Sequence, residues 1–190
     1  MTVEAVGPTL GQARAAAEAN RWPKAFELFQ TADREAPLGA SDLALLGDAA
    51  WWVGQLGEAI AARERAYAAH MANGDLRRAA GAAMAVANDY VHRLESAIAS
   101  GWVQRAKRLL ENVPESREHA LLERAFLNGA MGRGAFDEAL ERAQRVMEIG
   151  TRLNDPDVQG LGLHDKGRSW WPPGGSTRGW SCWRKLSSRR

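Results

Sequence analysis

The sequence predicts an all-α fold, a short right-handed solenoid of about four antiparallel helical hairpins. Three observations lead there. Ala is abundant while Ile, Phe and Tyr are scarce, which suits close-packed helices and not a sheet sandwich. Small residues recur at Ala25, Ala59, Ala99 and Ala139, spaced 34, 40 and 40 apart. Turn and stop residues punctuate the chain between those recurrences.

Each recurrence opens a stripe on one helix face. Four residues after the first Ala stands Phe29, Arg63, Val103 or Ala143, and seven after it Ala32, Ala66, Ala106 or Val146. Offsets of four and seven share a face at 3.6 residues per turn, and small side chains there admit a second helix. That second helix is written upstream of each stripe, in TLGQARAAAEA, SDLALLGDAAWWV, DLRRAAGAAMAVANDYVHR and SREHALLERAFLNGAMGR. Within the pairs, Asn20, Gly54 and Gly134 supply the left-handed residue that ends a helix, and Leu94 stands at that place in the third pair. Between pairs, EAPLGASD, NGD, NVPES and LNDPD combine stops with the N-cap candidates Ser41, Asp75 and Asp157. Eight helices follow, with a ninth from near Asp157. The expected organisation is a flexible N-terminus over 1–8, repeats over 9–169 and an irregular tail over 170–190.

The helix–turn–helix period and its small–aromatic–small signature resemble the tetratricopeptide repeat. The best match is LLGDAAWWVGQLGEAIAARERA, where Gly47, Gly54, Ala59 and Ala66 stand at signature positions. Arg63 replaces the usual aromatic, and Leu127 replaces the small residue of the fourth repeat. The signature packing set is then Ala25, Phe29, Ala32, Gly47, Gly54, Ala59, Ala66, Ala99, Ala106, Gly134 and Ala139. The longer run LGDAAWWVGQLGEAIAARERAYAAHMANGDLRRAAGAAM, with GWVQRAKRLLENVPESREHALL and LNDPDVQGLGLHDKGR, is similar to the helical-repeat region of bacterial LuxR-type transcription regulators and nucleotide-cyclase-linked signalling proteins. That resemblance implies a sensor or scaffold region that binds a protein or peptide, or an adjacent domain of a longer parent chain, in the cytoplasm. The sequence holds neither a DNA-binding helix-turn-helix nor a cyclase domain. A competing expectation is a remnant of such a regulator or enzyme without its output domain.

The tail, WWPPGGSTRGWSCWRKLSSRR, breaks the pattern. It holds four of the eight Trp, the single Cys and five cations without an acid. Without those cations the net charge of +2 becomes −3, so the basic pI belongs to the tail. Reading from the third base of the Trp170 codon, the fixed bases of Trp, Pro and Gly permit VAAGxVDEGLVLLEEA, the turn and helix expected of a next repeat. The tail therefore reads as a frameshifted copy of that repeat. The other reading is a genuine element whose Trp and Arg residues stack on bases or sit at a lipid surface. A shifted tail would leave the last helix uncapped, so fraying over 157–190 and self-association through that end are expected.

The first helices of the pairs offer a candidate partner-binding groove. Asp48, Asn88 and Asn128 stand 40 apart, with Trp52 and His92 also spaced by 40. Asn can bond a peptide backbone and Trp is a frequent hot spot. The alternative is that these side chains bond and pack within the array.

No catalytic residue and no cofactor are expected, since no nucleophile elbow, zinc-protease motif, P-loop or dinucleotide fingerprint is present. His70, His92, His119 and His164 lack helical metal spacing, and one Cys makes no disulfide framework. No apolar run spans a membrane, and the mildly acidic body gives no footprint for nucleic acid.

Overall fold

The computed structural model describes residues 7–170, excepting the side chain of Trp170. The tail beyond it, with the frameshift and nucleic-acid readings, lies outside the described residues. Among those described there are nine helices and no strand. They are α1 Pro8–Glu18, α2 Trp22–Glu35, α3 Ala40–Trp52, α4 Leu56–Ala72, α5 Leu76–His92, α6 Ser96–Leu110, α7 Arg117–Gly132, α8 Phe136–Arg152 and α9 Pro156–Trp170. The chain divides into two compact units, Met1–Val113 and Pro114–Arg190. The first contains the hairpins α1–α2, α3–α4 and α5–α6. The second contains the hairpin α7–α8 and α9.

Six short turns, four within the hairpins and those joining α4 to α5 and α8 to α9, share one chemistry. Asn20, Gly54, Gly74, Leu94, Gly134 and Asn154 all have positive φ, between 51° and 78°. Each is followed by an N–H that reaches back to a carbonyl five residues earlier, as Gln55 N–H does to Ala50 and Glu95 N–H to Tyr90. This is the Schellman closure, which satisfies carbonyls at a helix end. Leu94 takes the conformation although Gly or Asn holds it elsewhere, and its side chain is 88% exposed. Helix starts are less regular. Asp75 caps α5 by accepting the Arg78 N–H at 3.0 Å. Ser41 lies inside α3, whose N-cap is Gly39. Asp155, not Asp157, accepts the first N–H groups of α9, from Asp157 and Val158. The chain bends early enough at those two sites that the expected caps already belong to the first turn.

Ala25, Phe29, Ala32, Ala59, Ala66, Ala99, Ala106 and Ala139 are buried, six of these eight at 0% exposure. The Ala residues bury little area singly but let backbones approach, so the core is tight and not bulky. Size is matched across three of the hairpins, sixteen residues apart. Ala13 and Phe29 share one cluster of the first unit, and Gly47 meets Arg63, whose Cγ lies 2.6 Å from where a Gly47 Cβ would be. In the second unit the sizes are reversed, with Leu127 sharing a cluster with Ala143. The Leu that displaces a small residue on α7 thus meets a small residue on α8. Close approach also fixes α9 on α8, where a Cβ on Gly162 would lie 2.5 Å from Met147 Cγ and 2.8 Å from its backbone N.

Candidate functional site

Arg63 organises the site in the first unit. The repeat signature puts an aromatic side chain at its place, and Arg63 instead runs over Gly47 with only 7% of its surface exposed. A buried guanidinium requires partners. Its Nη1 donates to Asp89 of α5, which has no exposed surface, and its Nη2 donates to Asp48 of α3 at 2.8 Å. The guanidinium also lies 5.8 Å from the ring centre of Trp51. Burial pushes the Asp89 carboxyl above the ordinary range, and the Arg63 hydrogen bond opposes that rise. Asp89 Oδ2 and Arg63 Nε are buried without a hydrogen-bond partner.

The groove residues of the first unit surround this cluster. Asp48 and Trp52 are four apart on α3, and Asn88 and His92 four apart on α5, so each pair shares a face. The Asp48 side chain is 49% exposed although one oxygen is taken by Arg63. Trp52 is 63% exposed and stacks on Trp22 from the start of α2, with centroids 5.9 Å apart and planes 15° from parallel. Asn88 is exposed on α5. His92 donates from Nδ1 to the Asn88 carbonyl at 2.8 Å and meets Trp51 edge-on at 4.5 Å. Of the two adjacent Trp residues, Trp51 is half-buried between Arg63 and His92, and Trp52 faces outward. Asn128 belongs to the second unit, where it is exposed and accepts from Arg168 Nη2 at 3.5 Å.

Two further buried carboxylates follow the rule set by Asp89. Asp42 of α3 receives two bonds from Arg14 of α1, at 2.7 and 2.8 Å. Asp165 of α9, wholly buried, is paired with Arg124 of α7 and Arg168. From the sequence alone all three pass unnoticed, and Asp89 with His92 reads as a surface pair. The available signal is a charge within an apolar run, as in AMAVANDYV.

His70 is buried, which lowers its pKa. His119 forms a capping box with Ser116 at the start of α7. A shallow cleft of about 240 Å³ is lined by Asp33 and Arg65, which bond each other at 2.6 and 2.8 Å. Among the described residues no group of three potential metal ligands occurs, and no helix is long and apolar enough to cross a membrane.

Consecutive antiparallel hairpins with small-residue seams and Schellman turns decide the architecture. The fold is tetratricopeptide-like. The chain is similar in structure to BtubC (BKLC) from P. vanneervenii, with a TM-score of 0.65 and 16% identity, covering 93% of this chain and 76% of that one. It is also similar to a putative kinesin light chain of Podosopora anserina with nearly identical TPR-like repeats. There the TM-score is 0.64 and the identity 13%, over 95% of this chain and 92% of that one. A second crystal structure of that protein, carrying a substitution, matches over the same shares with a TM-score of 0.65 and 14% identity. No protein-family model matches the sequence, and no curated protein matches it.

Proposed function

We propose that this chain is a non-catalytic protein-interaction module, the sensor or scaffold region of a bacterial cytoplasmic signalling or transcription regulator. Its output domain would be encoded outside this sequence. The observation that carries the binding role is the exposed Trp52, held by its stack on Trp22, one helical turn after the half-exposed Asp48. A rigid, exposed indole next to groups that can bond a peptide has the composition of an interface hot spot. The tetratricopeptide-like fold supports the same role, because stacked hairpins present side chains of successive helices to one ligand. The regulator assignment rests on the sequence resemblance over Leu46–Met84 and the two later segments GWVQRAKRLLENVPESREHALL and LNDPDVQGLGLHDKGR.

A photo-crosslinking side chain placed at Asn88 of the full chain tests the binding role in extracts of the source cell. A discrete crosslinked protein that disappears with Trp52→Ala is the expected result. Crosslinks indifferent to Trp52 would refute it. Sequencing the gene across the codons for Gly167 to Trp171 and beyond tests the regulator assignment. A restored frame leading into a helix-turn-helix or cyclase domain supports it, and stop codons in every frame would remove it. Leu163 of α9 is 62% exposed and supports self-association through that end. Sedimentation that shows no growth with concentration would exclude that association.

A further inference from the structure

The face around Trp52 has a chemistry that selects among partners. Four rings among the described residues carry a guanidinium within cation–π range: Trp51, Tyr90, Trp102 and Phe126. Trp52 is the most exposed indole described, and it carries none. Its stack on Trp22 holds the ring in place, so a ligand would not have to order it.

The charges beside it are unbalanced in one direction. Arg63 is one guanidinium shared by two carboxylates, Asp48 and Asp89, so Asp48 has no counter-ion of its own. Asp48 stands one helical turn before Trp52 and its carboxylate is half-exposed. Helix α3, from Ala40 to Trp52, contains Asp42 and Asp48 and no Lys or Arg. Asp42 has Arg14 to itself, so the less fully matched carboxylate of α3 is Asp48, one turn from the indole.

Building on the protein-binding role above, we propose that this face takes a basic side chain of a partner peptide, with its cation over Trp52 and its charge against Asp48. The exposed Asn88 of α5 is available for the backbone of the same peptide. The chain already makes this contact internally, where Arg63 lies over Trp51 while bonding Asp48. The partner would place a second cation on the second indole. Arg fits better than Lys, since its planar group can stack on the ring and bond a carboxylate together.

The test uses the full chain and two capped pentapeptides, acetyl-Gly-Gly-Arg-Gly-Gly-amide and its citrulline counterpart. Citrulline keeps the planar shape of Arg but has a carbonyl oxygen in place of one NH2 group, so it has no charge and three N–H donors where Arg has five. Binding is followed by NMR on the indole N–H signals of Trp22, Trp51 and Trp52, up to about 10 mM peptide, where millimolar affinity registers. The Arg peptide should shift Trp52 and Trp22 saturably. Citrulline should bind about fivefold or more weakly, as should the Arg peptide to Trp52→Ala, with a loss of about threefold for Asp48→Asn. Trp52 is exposed, so its truncation leaves the fold intact, and the citrulline comparison needs no mutation at all. Equal binding of both peptides, or no shift of Trp52, would overturn the proposal. If Trp52 ignores the Arg peptide while the crosslinked partner still depends on Trp52, the cationic assignment falls and the binding role stands. If the Arg peptide binds but no partner depends on Trp52, the role in protein interaction falls instead.

Discussion

Replacing Arg63 by Met isolates the charge at the centre of the first unit. The Met stem still fills the space over Gly47, so packing is largely kept. What remains is Asp89, wholly buried, with Oδ1 newly deprived of a donor and Oδ2 already without one. Removing one partner of a buried ion pair costs about 3–5 kcal/mol. Asp48 adds less than about 1 kcal/mol, because its half-exposed carboxylate rehydrates. Against a typical stability of about 5–15 kcal/mol, the loss is a large fraction. It also depends on pH. Burial already raises the Asp89 pKa, and without Arg63 nothing of comparable strength opposes it. Above the unfolded Asp value the native state then holds a proton that the unfolded chain has lost. Stability of the variant is therefore highest at low pH and falls as pH rises through the raised pKa. Urea unfolding followed by far-ultraviolet circular dichroism, at about pH 5 and about pH 8, should show a smaller deficit at the lower pH. Adding Asp89→Leu should recover most of the loss, since an apolar pair can replace a buried ionic one. A single variant as stable as the parent, or a double variant no better than the single, would refute this account.

Leu94→Gly should raise stability. The left-handed conformation costs an L-residue about 1–2 kcal/mol and the freedom of Gly in the unfolded chain returns about 0.5–1. The net gain of about 0.5–1 kcal/mol appears as a Tm rise of about 1–4 °C, and a fall in Tm would contradict it. Gly162→Ala should lose about 1–3 kcal/mol, because the new Cβ meets the Met147 backbone and not a yielding side-chain end. Faster hydrogen exchange in α9 would register the loss, and unchanged exchange would disprove the contact. The hydrogen bonds from Arg65 hold the Asp33 carboxyl below its ordinary pKa. Asp33 therefore contributes stability above the unfolded Asp value and loses it as pH falls through its depressed one. Arg65→Met should move the Asp33 titration upward by NMR, and an unmoved titration would show that the pair is not formed in solution.

The hairpins are legible in the sequence because their signals are local: a helix period, a Gly or Asn every pair of helices, and small residues on one face. Leu94 fits that grammar only through position, since its turn is set by the same backbone closure that Gly54 makes. Caps are less legible at Ser41 and Asp157, where a one- or two-residue shift of the chain changes which group meets the free N–H. Asp48, Trp52, Asn88 and His92 can be placed on shared helix faces by spacing alone. Their relation to Arg63 cannot, because that contact joins residues 15 and 26 apart through tertiary packing. Arg63 and Leu127 look like two independent departures from the repeat. Each is matched by a residue across its hairpin, Gly47 and Ala143, and such compensation is visible only once the helices are paired.

The three buried aspartates differ from the size-matched pairs in what they connect. Volume is balanced inside a hairpin, as in Gly47 with Arg63. Asp42, Asp89 and Asp165 are each held by an Arg from an earlier hairpin, on α1, α4 and α7. A hairpin excised from this chain would keep its fit but lose its mate, and one inserted elsewhere would bury a lone carboxylate. The order of the hairpins is thus written in charge. Duplication or grafting here has to move two neighbours together, and a designer shuffling these units would need to treat each Arg–Asp junction as the indivisible piece.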